Sequence, residues 1–207
     1  MSDTEQHWNS IYQAKATEQF SWFQDTPNCS LDMVKRLNLS PNAAIIDVGS
    51  GDSLLADHLI ADGYEDLTLV DISNVAIKRS KLRLHKFQER ITWVTEDILY
   101  YSGPKKFALW HDRAAFHFLI TKQEKTQYVK QLKQHLLAGA HIILATFAID
   151  GAKKCSGLPI EQYNELKLTE TLGPEFQLVS TLSHSHKTPT GAIQRFMYFT
   201  LQYISSK

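Results

Sequence analysis

Cysteine, net charge and long apolar runs are all scarce in this sequence, and each scarcity removes a class of protein. Two of the 207 residues are cysteines, Cys29 and Cys155. They stand far apart and outside any CxxC or Cys/His spacing, which argues for reduced thiols in a cytosol-like compartment and against a disulfide-dependent miniprotein. Lysine plus arginine equals aspartate plus glutamate at 22 each, so no whole-chain field exists to collect nucleic acid or anionic lipid. Glycine and proline are scattered, with no repeat, linker or low-complexity tract to divide the chain. The longest apolar runs fall far short of a membrane span, and the polar start MSDTEQHWNS does not read as a secretory signal. The expectation is a single domain over residues 1–207, cytoplasmic, with no membrane partner and a nucleic-acid partner disfavoured.

Core material is plentiful: ten Phe, eight Tyr and four Trp can fill one sizeable interior. Short β-rich runs alternate with helical patterns. The runs are AAIIDV (43–48), DLTLVD (66–71), ITWVTE (91–96), KFALWH (106–111) and AHIILATFAI (140–149), several of them nearly continuous apolar stretches, as strands covered on both faces should be. Three helices are predicted between them: 53–63, capped by Ser53 and stopped by Gly63; 73–87, capped by Ser73; and 121–139, with Thr121 and Glu124 as a capping box and Gly139 as the stop. This alternation predicts an α/β fold with a mainly parallel sheet and helices on both faces. EFQLVSTLSHSH and AIQRFMYFTLQYI, joined by KTPTG, read as a closing hairpin that adds an antiparallel strand. Residues 1–38 contain a helix around His7–Tyr12, the aromatic segment FSWF and a second helix capped by Ser30, a set that can lie over the sheet as a lid.

The first strand runs into Asp47-Val-Gly49-Ser50-Gly51-Asp-Ser53, a glycine-bearing turn whose backbone a ligand can approach closely at a helix N-terminus. A dinucleotide fingerprint would need Gly or Ala where Leu54 stands, which weakens an NAD reading. An acidic residue two positions before the first glycine favours a ligand carrying an ammonium group, and the absence of a loop lysine excludes a P-loop. Asp71 closes the second strand twenty residues after Gly51, where a carboxylate can accept both hydroxyls of a ribose. Asp97 and Ile98, after the third strand, can hold an adenine by its amino group and one face.

On IIDVGSGDS, LTLVDIS, TEDI and the terminal hairpin, the chain resembles the class I S-adenosylmethionine-dependent methyltransferases over essentially all of residues 40–204. The resemblance implies a three-layer Rossmann-like core with sheet order 3-2-1-4-5-7-6, strand 7 antiparallel, and S-adenosylmethionine as cofactor. It departs from the family at Ser53, where the third glycine would stand. Cofactor-binding positions are then Trp22, Asp47, Gly49, Ser50, Gly51, Asp71, Ile72, Asp97, Ile98 and His111. The opening HWNSIY with FSWFQ looks like a subgroup that includes seven-strand protein-lysine methyltransferases, in which this segment caps the cofactor. WHDRAAFHFL and CSGLPIEQY look like a bacterial branch whose substrate the resemblance does not name.

Trp22 either covers the cofactor or is an ordinary core aromatic. His111 and Asp112, leaving a central strand, are candidates for base and orienter, or for structural capping; Arg113, His117, Phe147 and Tyr163 are candidate acceptor contacts, with His117 also readable as a core histidine. Cys155 and the following SGLP form a candidate substrate wall without a nucleophilic role. His184 and His186 share one strand face with no third ligand, so no metal site is expected. Lys78, Arg79, Lys81, Arg83 and Lys86 read as a solvated basic face. The function expected is methyl transfer to a small-molecule acceptor, with a protein lysine, or a non-catalytic nucleotide-binding module, as alternatives.

Overall fold

The computed structural model describes residues 2–204. Seven strands form one sheet: β1 (Ile45–Val48), β2 (Leu67–Asp71), β3 (Ile91–Thr95), β4 (Phe107–Arg113), β5 (Leu136–Phe147), β6 (Phe176–Lys187) and β7 (Ile193–Tyr203). Their order is 3-2-1-4-5-7-6, parallel through β5 and antiparallel for β7 against both β5 and β6. This is the order implied by the resemblance. The helices are α1 (Asp3–Ala14), α2 (Asn28–Arg36), α3 (Leu55–Ala61), α4 (Asn74–Arg83), α5 (Lys122–His135) and α6 (Glu165–Leu172).

Strand alternation divides the core into two layers. Ile46, Trp110 and Ile142 pack on one face with Tyr128 and Leu132 of α5, and Ile45, Leu109 and Ile143 pack on the other with Leu55 and Leu59 of α3. Fully burying each such side chain is worth about 1.5–3 kcal/mol, so the central strands anchor everything placed at their ends. Tyr12, Phe20 and Ala76, with Trp8 and Trp22 against them, make a third cluster that seats the N-terminal segment on α4.

Several local boundaries differ from the sequence expectation. Helix α3 starts at Leu55, because the glycine-bearing turn continues through Ser53, whose hydroxyl accepts from Leu55 N at 3.2 Å. Helix α2 begins at Asn28, so Ser30 lies inside it and does not cap it. Helix α5 ends at His135, and Leu136, expected in the helix, already pairs in β5 opposite Phe107. Gly139, at φ +77°, is an irregularity within that strand and not a helix stop. The Ser73 cap and the Thr121–Glu124 capping box form as expected.

Candidate functional site

A cavity of about 350 Å³ opens above the carboxyl ends of β1, β2 and β4, the switch point where ligands bind in open α/β sheets. Its floor contains Val48, Gly49 and Asp71, and Trp8, Tyr12 and Trp22 line it from the N-terminal segment. Trp22 stacks on Phe20 with centroids 4.5 Å apart and planes 5° from parallel.

The turn after β1 needs its glycines. Gly49 has φ +61°, and a Cβ there would stand 2.7 Å from Ala115 Cβ; Gly51 has φ +55°, and a Cβ there would stand 2.3 Å from the Tyr12 hydroxyl. Both sites combine a left-handed backbone with no room for a side chain. Gly51 N–H donates to Asp71 Oδ2 at 2.8 Å, and Ser73 N–H donates to Asp71 Oδ1 at 2.7 Å. The Asp71 carboxylate is thereby fixed at the cavity edge, with a lone pair free on each oxygen. Burial pushes its pKa up to about 6; the two backbone donors oppose that shift and Asp47 and Asp52 add to it. Asp97 accepts from Leu99 N–H at 2.9 Å and so fixes the turn that presents Ile98 to the cavity; its pKa is raised, chiefly by burial. Ile72, Asp97 and Ile98 all line the cavity where the sequence placed them.

A smaller recess of about 40 Å³ adjoins the same turn, lined by Gln24, Ser30, Asp47, Ser50, His111 and Arg113 among others. Here His111 is held at both ring nitrogens: Nδ1 lies 2.7 Å from Asp47 Oδ1 and Nε2 lies 2.8 Å from Ser30 Oγ. His111 does not line the main cavity, so the geometry makes it a link between α2, β1 and β4 and corrects its expected role as a base. Asp112 is corrected further. Strand alternation turns it to the opposite sheet face, where it is 0% exposed and accepts from Tyr128 Oη at 2.7 Å and from Ala115 and Phe116 N–H at 2.9 and 3.1 Å. It shapes the loop after β4 and reaches neither cavity.

Of the expected acceptor contacts, Arg113 and Phe147 line the main cavity. Arg113 Nη1 donates to Trp22 O and Nε to Tyr198 Oη, at 3.0 and 3.1 Å, and its guanidinium lies 5.1 Å from the Phe196 ring centroid. His117 and Tyr163 are 0% exposed and outside the cavity, which corrects their assignment. His117 stacks on Phe147 at 5.1 Å, behind the wall, and Tyr163 packs against Phe116 on the α5 side. Cys155 and Leu158–Pro159, on a small hairpin after β5, do form wall.

Sequence reasoning missed Tyr12, Asp52, Arg79 and Ser30. Arg79, read as part of a solvated face, donates to Asp52 Oδ2 and to the carbonyls of Tyr12 and Lys15, and Arg83 forks onto Asp57. Two of the five basic side chains are therefore clasps. Asp52 and Asp57, three and eight positions beyond Gly49, were a usable signal, since part-buried arginines need carboxylate partners nearby. Among the described residues, no group of three or more His, Cys, Asp or Glu is placed to hold a metal ion.

The sheet order, the turn glycines and the Asp71 carboxylate define a Rossmann-like nucleotide-binding fold of the seven-strand type. Residues 45–139 match the family model described as a methyltransferase domain. The eEF1A lysine and N-terminal methyltransferase of Bos taurus is 26% identical over 120 residues, which cover 58% of this chain and 17% of that protein. EEF1A lysine methyltransferase 2 of Danio rerio is 22% identical over 189 residues, 86% of this chain and 77% of that one. Among solved structures, one concerned with conversion of a disulfide bond into a thioacetal group during echinomycin biosynthesis superposes with a TM-score of 0.80 at 15% identity, covering 99% and 93% of the two chains. The N-methyltransferase NodS from Bradyrhizobium japonicum, in complex with S-adenosyl-L-homocysteine, superposes with a TM-score of 0.69 at 15% identity, covering 95% and 98%. Residues 45–139 thus match a methyltransferase domain, and the fold is shared with solved S-adenosylmethionine-dependent methyltransferases such as that from Clostridium acetobutylicum.

The residues present fit that cofactor. Asp71 offers free lone pairs to a ribose diol, Asp97 and Ile98 offer an acceptor and an apolar face to an adenine, and the turn brings Gly49 to the cavity wall. At the smaller recess Ser50 Oγ is buried with no partner, beside Asp47, a polar setting suited to an amino-acid end.

Proposed function

We propose that the protein transfers a methyl group from S-adenosylmethionine to a small-molecule acceptor. The observation that carries this reading is the continuity of the main cavity. It runs from Asp71 and Asp97 past Gly49 to a compartment walled by Phe147, Phe196, Cys155, Leu158 and Pro159. A compartment walled in this way, under the aromatic N-terminal segment, suits a small acceptor.

When bound, the cofactor supplies an activated methyl group on a good leaving group. The chain then contributes mainly position, holding an acceptor atom in line at roughly 3–3.5 Å. Asp71, Ile72, Asp97 and Ile98 fix the nucleoside end; Asp47, oriented by His111, and Ser50 with the backbone of Gly49 fix the amino-acid end, while Gly51, expected among the cofactor contacts, lines neither cavity and spends its N–H on Asp71. Trp22 excludes water from above. Phe147 and Arg113 face the acceptor.

A protein lysine is the second reading, favoured by the lysine methyltransferases among the relatives. A protein that binds the cofactor without turning it over is the third. One experiment separates them: purified protein incubated with S-adenosylmethionine labelled in the methyl group and a cell extract, then split into protein and small-molecule fractions. Label in small molecules is the expected result. Label in protein favours the lysine reading, and label in neither favours the binding module. The reading also carries a cytoplasmic location, in keeping with the two cysteines being free thiols.

A further inference from the structure

We infer that the acceptor is an anionic nucleophile on an apolar ring, a thiolate or phenolate, selected by Arg113. This rests on the methyl-transfer reading above and sharpens it. The charged groups lining the cavity are sorted by position. Asp71, Glu96, Asp97 and Glu124 all gather where β2, β3 and the start of α5 meet, at the nucleoside end. Arg113 is the one Lys or Arg among the described lining residues, and it sits at the other end, against Phe196 of β7 and beside Tyr198. Among the described residues lining the main cavity, no carboxylate stands at that end to receive an ammonium or to take its proton, and Asp47, in the adjoining recess that Arg113 also borders, is held by His111.

The neighbours register the same field. Arg113 lowers the pKa of the Cys155 thiol and the Tyr198 hydroxyl against the larger upward push of burial. It also adds to the burial that depresses His117, His184 and His186. A cation entering this compartment meets a like charge within low-dielectric walls, and an anion meets its complement. The walls are Phe147, Phe196, Leu158 and Pro159, which suit a flat apolar body better than a flexible polar one. His111 and Asp112, the groups that could have served as a base, are committed elsewhere.

An acceptor that arrives ionised needs no base. Its lone pair forms the new bond to the methyl carbon while the carbon–sulfur bond of the cofactor breaks. That electron pair stays on sulfur, whose positive charge is lost, and no proton moves.

The test uses protein saturated with S-adenosylhomocysteine, so that binding is read without turnover. Four probes are titrated calorimetrically at pH 8: 4-nitrothiophenol and 4-nitrophenol, both ionised there, nitrobenzene as the neutral ring, and benzylamine as the cation. The anions should bind at least tenfold tighter than nitrobenzene, with benzylamine weakest, and the stronger of the two anions tells sulfur from oxygen. Arg113→Gln should collapse the anion-to-neutral ratio to within about threefold, and Arg113→Lys should restore most of it. Equal, absent or reversed preference in the wild type overturns the inference, as does an unchanged ratio in Arg113→Gln. Failure of the wild type to bind S-adenosylhomocysteine at all would instead remove the methyl-transfer reading beneath it.

Discussion

Asp71 holds its carboxylate where burial resists charge, and this gives cofactor binding a pH dependence of known sign. A ribose diol donates to the ionised form, and the pKa lies near 6. Affinity for S-adenosylhomocysteine should therefore hold above pH 7 and fall as pH drops through about 6, as calorimetry at pH 7.5 and 5.5 would read. Asp71→Ala should weaken binding by roughly 1.5–3 kcal/mol at neutral pH, since a buried charged acceptor is lost. His117 gives a stability dependence of opposite origin. Burial holds its pKa down to about 3, so between there and 6.5 the unfolded chain binds a proton that the folded chain does not. Stability rises with pH across that window, and about 2 kcal/mol should be lost between pH 6.5 and 5. His117→Phe should remove that component, seen as a flatter denaturation midpoint against pH. Asp71 and Asp97 were legible because their place follows from strand ends and local spacing. His117 was not, because FHF carries no sign of which side faces the cavity.

At the scale of elements, the turn after β1 and helix α1 are fitted to each other. A Cβ on Gly51 would collide with the Tyr12 hydroxyl but lie 3.3 Å from its Cζ. Gly51→Ala should thus weaken S-adenosylhomocysteine binding by displacing α1 and straining the turn. Adding Tyr12→Phe should recover part of the loss, leaving the cost of a positive φ at an alanine, on the order of 1 kcal/mol. If the double variant is no better than the single one, the turn and α1 are not coupled through that contact. The glycines could be read from the sequence, but Tyr12 could not, because periodicity says that an aromatic is buried without saying what it meets. The same limit hid Ser30, whose partner His111 is 81 positions away. The end of α5 was misread for a related reason: Leu136 suits a helix face and a central strand equally, and pairing with Phe107 decides between them.

Over the whole molecule, the N-terminal segment is held across the cavity by polar clasps at the middle and the C-terminal end of α1. Asn9 accepts from Ser73 Oγ at 2.8 Å and from Val75 N–H at 3.3 Å, and Arg79 joins Asp52 to the carbonyls of Tyr12 and Lys15. Asp52 also accepts from Thr17 Oγ1 at 2.6 Å. A mainly parallel sheet with an antiparallel closing strand was readable from alternation and the terminal hairpin, and the strand order followed from the family resemblance, whereas this closure depends on side-chain pairs that join residues 9–17 to residues 52–79. Trp8, Tyr12 and Trp22 face the cavity from that segment, so a ligand beneath them adds contacts that only the closed arrangement provides. Saturation at about 100 Kd with S-adenosylhomocysteine should stabilise the protein by about 2.7 kcal/mol. Slowed amide exchange should be concentrated in α1 and residues 17–24 as well as in the turn after β1. Arg79→Ala removes one clasp at a residue that itself lines neither cavity. It should speed exchange in α1 of the free protein and weaken ligand binding about tenfold, while S-adenosylhomocysteine still slows that exchange. Protection confined to the turn, with α1 exchanging at the same rate in free and bound protein, would mean that the segment is a fixed wall and not a lid.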